Sequence, residues 1–308
     1  MDNSRLSTPV ALLIFNRPDT TERVFEAIRA ARPTKLLVVA DGPRPDRHGE
    51  AERCSAARAV IERVDWDCQV FTNFANSNLG CKLRVASGLD WVFDTVEEAI
   101  ILEDDCVPHA DFFPFCAALL EKYRMDERVM MIGGTNYMLH LDIPESYFFS
   151  RYFAIWGWAT WRRAWALYDI NMTNWEIYKA QKTLRNFYSR PDMLYYFTAA
   201  FDAAYYDQID TWDLQWFYCC LFNNGLSAVP RVNLISNIGL EGSHTDRIST
   251  HSNFFKPVFP LDPAHLRHPV HVFTNMTYDN LLFTRNIKAP FRGRVTRRLR
   301  LLRQKLPF

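Results

Sequence analysis

The chain has 308 residues, of which 48% are apolar and 15% aromatic, so it can bury a sizeable core and is not disordered in composition. Its formal net charge is +1, but the charge is unevenly spread. Nine of the 36 bases follow Asp279, where no acid occurs, and the rest of the chain is left with a net charge of −8, which argues against a nucleic-acid-binding body.

Pro9 to Phe15 is a continuous apolar run and predicts a buried strand, broken by Asn16-Arg17-Pro18-Asp19. Thr20 or Thr21 would cap a helix whose apolar positions are Val24, Ala27, Ile28 and Ala31. Lys35 to Ala40 is a second strand, ended by Asp41-Gly42-Pro43. His48 to Val64 reads as a helix, Cys68 to Phe71 as a short strand, and Lys82 to Phe93 as a helix. Ala99 to Leu102 is the next strand. Four strand–helix alternations in about a hundred residues predict right-handed βαβ units and a parallel sheet.

The fourth strand ends in Glu103, Asp104 and Asp105. Three acids at the tip of a buried strand repel one another unless a cation compensates them. Oxygen ligands of this kind suit Mg²⁺ or Mn²⁺; the plain alternative is a solvated acidic turn. Parallel sheets bind ligands at the carboxyl ends of their strands, and Asn16-Arg17 and Asp41 fall at two neighbouring ends. A nucleotide across these ends would find a base acceptor in Asp41, a phosphate partner in Arg17 and a metal bridge at the acids. The chain has no GxGxxG after the first strand and no GxxxxGK[ST], which disfavours a dinucleotide fold and removes phosphate-loop NTPases.

Further along, 112–124 predicts a helix, 129–132 a strand and 148–155 another strand. In Ile155 to Trp165, Trp161 and Trp165 are expected to be core on a helix opened by Thr160, whereas Trp156 and Trp158, in the preceding loop, divide between core and sugar stacking. Residues 176–209 read as helical. Asp213 then stands at the first turn of a helix carrying Trp212 and Trp216, where a carboxylate stays ionised and suits a general base; Asp210 and Asp207 compete for the role. Residues 226–235 predict a strand. The loop from Asn237 to Thr245 carries His244, read as a metal ligand, a phosphate contact or a solvated histidine. His265, His268 and His271 are broken up by Pro269 and do not make a zinc site.

Seven scattered cysteines without CxxC spacing read as reduced thiols, and no stretch is apolar enough to span a bilayer, so a cytoplasmic protein is expected. Residues 1–280 are expected to form one domain. Residues 281–308 form a basic tail, in which Val295, Leu299, Leu302 and Leu306 lie on one helical face. Over 292–306 that tail suits either peripheral contact with the inner face of a membrane or docking on the acidic body.

Leu102 to Phe113 (Leu-Glu-Asp-Asp-Cys-Val-Pro-His-Ala-Asp-Phe-Phe) resembles the metal-binding motif of GT-A-fold nucleotide-sugar glycosyltransferases, notably N-acetylglucosaminyltransferase I and bacterial family-2-like relatives. Asn16-Arg17, Asp41 and Thr211-Trp-Asp-Leu-Gln-Trp216 extend the resemblance over roughly 9–245. It implies an α/β, GT-A-type Rossmann-like single domain with a mostly parallel central sheet flanked by helices. It also implies an inverting, Mn²⁺-dependent (or Mg²⁺-dependent) hexosyltransferase that uses a UDP-sugar, with N-acetylglucosamine as a candidate, and a glycan or glycolipid acceptor in polysaccharide biosynthesis. Asp105 would hold the metal; on the reading of its loop alone, outside the resemblance, His244 is the candidate second ligand. Glu103 and Asp104 would face the donor, Arg17 and Asp41 its phosphate and base, and Asp213 would be the base; Trp158 is a donor-stacking candidate from its own stretch, outside the resemblance. The Trp-Asp element reads Asp-Leu here, where such relatives carry Asp-Asp. A sugar nucleotidyltransferase, or an inactive carbohydrate-binding protein on the same fold, are the competing readings.

Overall fold

A computed structural model describes residues 5–139, 141–239 and 257–288. The first half alternates as the apolar runs predict: β1 (Val10–Ile14), α1 (Pro18–Ala31), β2 (Lys35–Ala40), α2 (Glu50–Ala59), β3 (Gln69–Phe74), α3 (Gly80–Thr95) and β4 (Glu98–Glu103). Then come β5 (Cys106–Pro108), α4 (Phe112–Lys122), β6 (Val129–Gly133), β7 (Tyr147–Ser150), β8 (Trp158–Trp161) and α5 (Arg162–Trp165). The second half holds α6 (Trp175–Ala180), α7 (Pro191–Tyr205), α8 (Asp213–Phe222), β9 (Leu226–Pro230), β10 (Ile235–Asn237) and α9 (Met276–Leu282).

Eight strands form one sheet in the order β3-β2-β1-β4-β8-β6-β9-β7. β1, β2, β3 and β4 are mutually parallel, and β6 runs parallel to β9. β8 is inserted antiparallel between β4 and β6, and β7 closes the far edge antiparallel to β9. This is the expected α/β, Rossmann-like class with a mostly parallel sheet flanked by helices. β5 and β10 make a separate antiparallel pair over the strand ends.

Alternation along the strands divides the core. Val10, Leu12 and Ile14 point to one face with Ile100 and Leu102, under α1, the turn at Val60–Ile61 and α4; Ala11 and Leu13 point to the other with Ile101, under α3 and α8. Both faces are covered, which is why these strands read as unbroken apolar runs. A third, strongly aromatic cluster joins α6, α7, α8 and α9 to β7, and Leu282 and Phe283 are still buried in it.

Several elements differ from expectation: the 148–155 strand ends at Ser150, the 48–64 helix tightens to a 3-10 turn after Ala59, and three more differ for identifiable reasons. Trp161 is not a helical partner of Trp165: it ends β8, whose alternation puts the two tryptophans in different clusters. A four-residue strand buried on both faces is too short to show a period. The 176–209 stretch breaks around Lys182 and again at Pro191, which takes the first turn of α7, where its missing N–H costs nothing. The 226–235 strand stops at Pro230, and the chain turns before β10.

Candidate active site at the strand ends

Register aligns the ends of the central strands. Ile14 pairs with Ala40, and Leu13 with Glu103, so Asn16-Arg17, Asp41 and the three acids lie along one edge. Arg17 donates from Nη1 to Asp105 Oδ2 at 2.7 Å and stands 3.6 Å from Asp104 Oδ1. Asp104 Oδ2 also accepts the Phe15 N–H at 3.1 Å. Burial works against the Arg17 guanidinium, but Asp104 and Asp105 outweigh it and hold its pKa above the usual value. Burial, with Asp105 adding to it, pushes Asp104 up to about 7 against the pull of Arg17.

Glu103 follows Ile101 by two residues and so points to the α3 and α8 face. Burial first, then Asp105, Asp104 and Asp213, raise its pKa well above the carboxylate range. Its Oε1 is buried without a hydrogen-bond partner among the described residues. The cluster therefore remains short of positive charge even with Arg17 in place.

The β5–β10 pair brings a segment onto these acids that the sequence reading did not place there. Ile238 donates its N–H to the Asp105 carbonyl at 2.8 Å, and Asn237 Nδ2 lies 3.4 Å from Asp105 Oδ1. A Cβ on Gly239 would sit 2.0 Å from Asp105 Oδ2, so any larger residue there would displace this ion pair. His244 lies outside the described residues.

Asp41 departs from its expected role. Its Oδ1 accepts from the N–H groups of Gly42 (2.8 Å) and Leu79 (2.9 Å), and its Oδ2 from Asn78 Nδ2 (2.8 Å) and the Gly80 N–H (3.2 Å). A carboxylate has about four lone-pair sites, and all are used. Asp41 pins the 76–80 loop at the strand ends instead of facing a base. Asn16 likewise turns away from the cleft and donates to Glu50 Oε1 at 2.8 Å. Glu50 is 1% exposed and receives Arg44, whose hydrogen bonds bring its pKa down to about 2. No sequence pattern marked Glu50, which reads as one more helical acid.

The three candidate bases separate by what they touch. Asp210 accepts the N–H groups of Cys81 (3.0 Å) and Lys82 (2.9 Å) and so caps α3. Asp207 is exposed and pairs with Lys82 Nζ at 2.5 Å. Asp213 opens α8, accepts the Thr211 hydroxyl and the Leu214 N–H, and lines a cavity of about 340 Å³ whose walls include none of Arg17, Asp41 or the three acids of β4.

Trp158 is corrected. It is 0% exposed, and its ring packs 5.7 Å from Trp212 and 5.8 Å from Trp216, which leaves no face for a sugar. Trp156 lines the cavity instead. Gly157, at φ +62°, turns the chain between the two, and a Cβ there would lie 2.3 Å from Ile235 Cδ1.

Glu103, Asp104 and Asp105 offer hard oxygen donors, and their uncompensated charge suits a divalent cation. Glu103 Oε1, buried without a partner among the described residues, is compatible with either a cation or a hydroxyl of a bound ligand. Among the described residues no three His, Cys, Asp or Glu side chains converge as a ready-made metal site. In this arrangement Arg17 is the counter-ion.

No family model matches the chain, and no curated protein matches it. Solved structures resembling it include 4-diphosphocytidyl-2C-methyl-D-erythritol synthase from Anaerococcus prevotii: 11% identity, 60% of this chain and 85% of that one covered, TM-score 0.33. Mouse xyloside xylosyltransferase 1 is also similar: 11% identity, 72% and 85% covered, TM-score 0.34. A UDP-glucose pyrophosphorylase complexed with UDP-glucose shares 10% identity over 42% of this chain and 64% of its own, at a TM-score of 0.24. Scores this low carry no argument about function. Among the described residues no helix is long and apolar enough to cross a membrane.

Proposed function

We propose that the chain is an inverting glycosyltransferase of GT-A type that moves a hexosyl unit, N-acetylglucosamine being the first candidate, from a UDP-sugar to an acceptor hydroxyl. The observation that carries this reading is the placement of Asp213. Of the three acids in 207–213, it alone lines the cavity, and it is close enough to Glu103 to help raise that group's pKa.

The donor would lie across the ends of β1, β2 and β4. The loop held by Asp41 would shape the nucleoside end, and Arg17, drawn towards the diphosphate, would answer its charge. Glu103 and Asp104 would meet hydroxyls of the donor. Asp105 would hold Mn²⁺ or Mg²⁺, which, when bound, offsets the charge of a leaving diphosphate. Asp213 takes the proton of the acceptor hydroxyl. The freed oxygen bonds to the anomeric carbon on the face opposite the nucleotide, the bond from that carbon to the diphosphate oxygen breaks, and UDP leaves. The test is substitution of Asp213 by Asn: UDP-sugar binding should persist while transfer falls by about 10² or more. Full transfer in that variant would refute the assignment.

A further inference from the structure

β3 ends the eight-stranded sheet, and among the described residues no strand pairs with its outer side. Gln69 donates its N–H to the Thr34 carbonyl and Ala75 to that of Ala40, both towards β2. Alternation therefore turns the N–H and C=O groups of Val70, Thr72 and Phe74 outwards. The side chains of Val70, Phe71, Thr72 and Phe74 are exposed as well. Register puts Phe71 beside Leu37 on the α3 face, and Val70 and Phe74 beside Leu36 and Ala40 on the other, so apolar surface is open on both sides of the strand. Leu83, in the first turn of α3, is also exposed.

Edge strands are ordinarily blunted by a lysine, a proline, a bulge or a covering segment. β3 (Gln-Val-Phe-Thr-Asn-Phe) carries no charge and no proline, and its register with β2 is unbroken. The opposite edge of the sheet is protected. There Asn275 donates its N–H to the Phe149 carbonyl at 2.7 Å, Thr274 bridges to the same residue, and β7 is buried throughout.

We propose that the β3 edge binds a second copy of this chain, the two β3 strands pairing antiparallel about a two-fold axis at Thr72. In that register the strand is its own complement: Val70 stands opposite Phe74, Phe71 opposite Asn73, and Thr72 opposite its counterpart. Each copy's outward N–H groups then meet the other's outward carbonyls. The Val–Phe pairs join apolar side chains across the seam. A two-fold axis sets every charge near it against its own copy, and β3 has none to be opposed, which favours a second copy over a charged partner. Because the β7 edge is covered, the pairing closes at two chains instead of growing into a fibre. The proposal is independent of the transferase reading.

Sedimentation equilibrium of the full chain tests it. The apparent mass should climb from 36.1 kDa towards twice that value as concentration rises, and stop there. Over the same range the amides of Val70, Thr72 and Phe74 should gain protection from hydrogen exchange. Thr72→Pro removes an outward N–H that β2 does not use, so the monomer should keep its Tm while self-association weakens at least tenfold. Thr72→Lys sets two like charges face to face and should also abolish the dimer, and mixing it with Thr72→Glu should restore association. A mass that stays at 36.1 kDa at every concentration, or one that climbs past two copies, overturns the proposal. So does association indifferent to Thr72→Pro, or a lysine and glutamate pair that fails to restore it.

Discussion

Replacing Arg17 by Leu removes the counter-ion of Asp104 and Asp105. Breaking a buried ion pair from one side costs about 3–5 kcal/mol, because the remaining charge is left uncompensated. Arg17 is 29% exposed and the two aspartates are 10% and 13% exposed, so solvent screens part of this, and about 2–3 kcal/mol is expected. An unfolding entropy of about 2.1 cal/mol/K per residue converts that into a fall in Tm of about 3–5 °C for a chain of this length. The variant should also respond more strongly to Mn²⁺ than the wild type, since the released acids then lack any cation. At a hundredfold excess over its dissociation constant, a ligand of the native state returns about 2.7 kcal/mol. Arg17→Lys, which keeps the charge and loses the planar fork, should lie in between. Thermal unfolding followed by circular dichroism, with and without Mn²⁺, reads all of this. An unchanged Tm in Arg17→Leu, with no added response to the metal, would show that Arg17 does not hold the acid cluster.

Other perturbations separate structural from functional side chains. Trp158→Ala should cost about 3–5 kcal/mol, as large core truncations do, measured by urea unfolding, whereas Trp156→Ala should cost less and instead weaken ligand binding at the cavity. Asp210→Ala should lose about 1 kcal/mol through uncapping α3 and leave turnover intact, in contrast to Asp213→Asn. The Glu50 carboxyl, held near 2 by Arg44 and Asn16 against an ordinary 4.5, stabilises the fold above pH 4.5. That contribution, at most about 3 kcal/mol, is lost as the pH falls towards 2. Acid unfolding should therefore be shallower in Glu50→Gln over that window, and parallel curves would contradict the role given to this pair.

The half of the fold built from local pattern was legible. β1, β2 and β4 are apolar on both faces because helices cover both, and a run such as Lys35 to Ala40 carries that burial openly. β8 was not legible, since its identity depends on ladder partners 57–63 residues upstream in β4 and 25–27 upstream in β6. The site was legible in its acids and Arg17, which adjoin strand ends. It was obscure where a side chain's partner decides its role. Asp41 reads as a free acceptor until the 76–80 loop folds onto it, and Asp210 is indistinguishable from Asp213 until α3 arrives to be capped. Trp156 and Trp158 differ only by the turn at Gly157, and no local period reveals which one faces solvent.

The central claim is that the ends of β1, β2 and β4 bind a nucleoside diphosphate sugar. Isothermal titration of the wild-type chain with a panel of UDP-sugars in Mn²⁺ tests it most directly. The account predicts saturable one-to-one binding of a UDP-sugar, lost in Arg17→Leu and kept in Asp213→Asn. Absence of heat for every UDP-sugar, or binding of a free nucleoside triphosphate followed by pyrophosphate release, would contradict it.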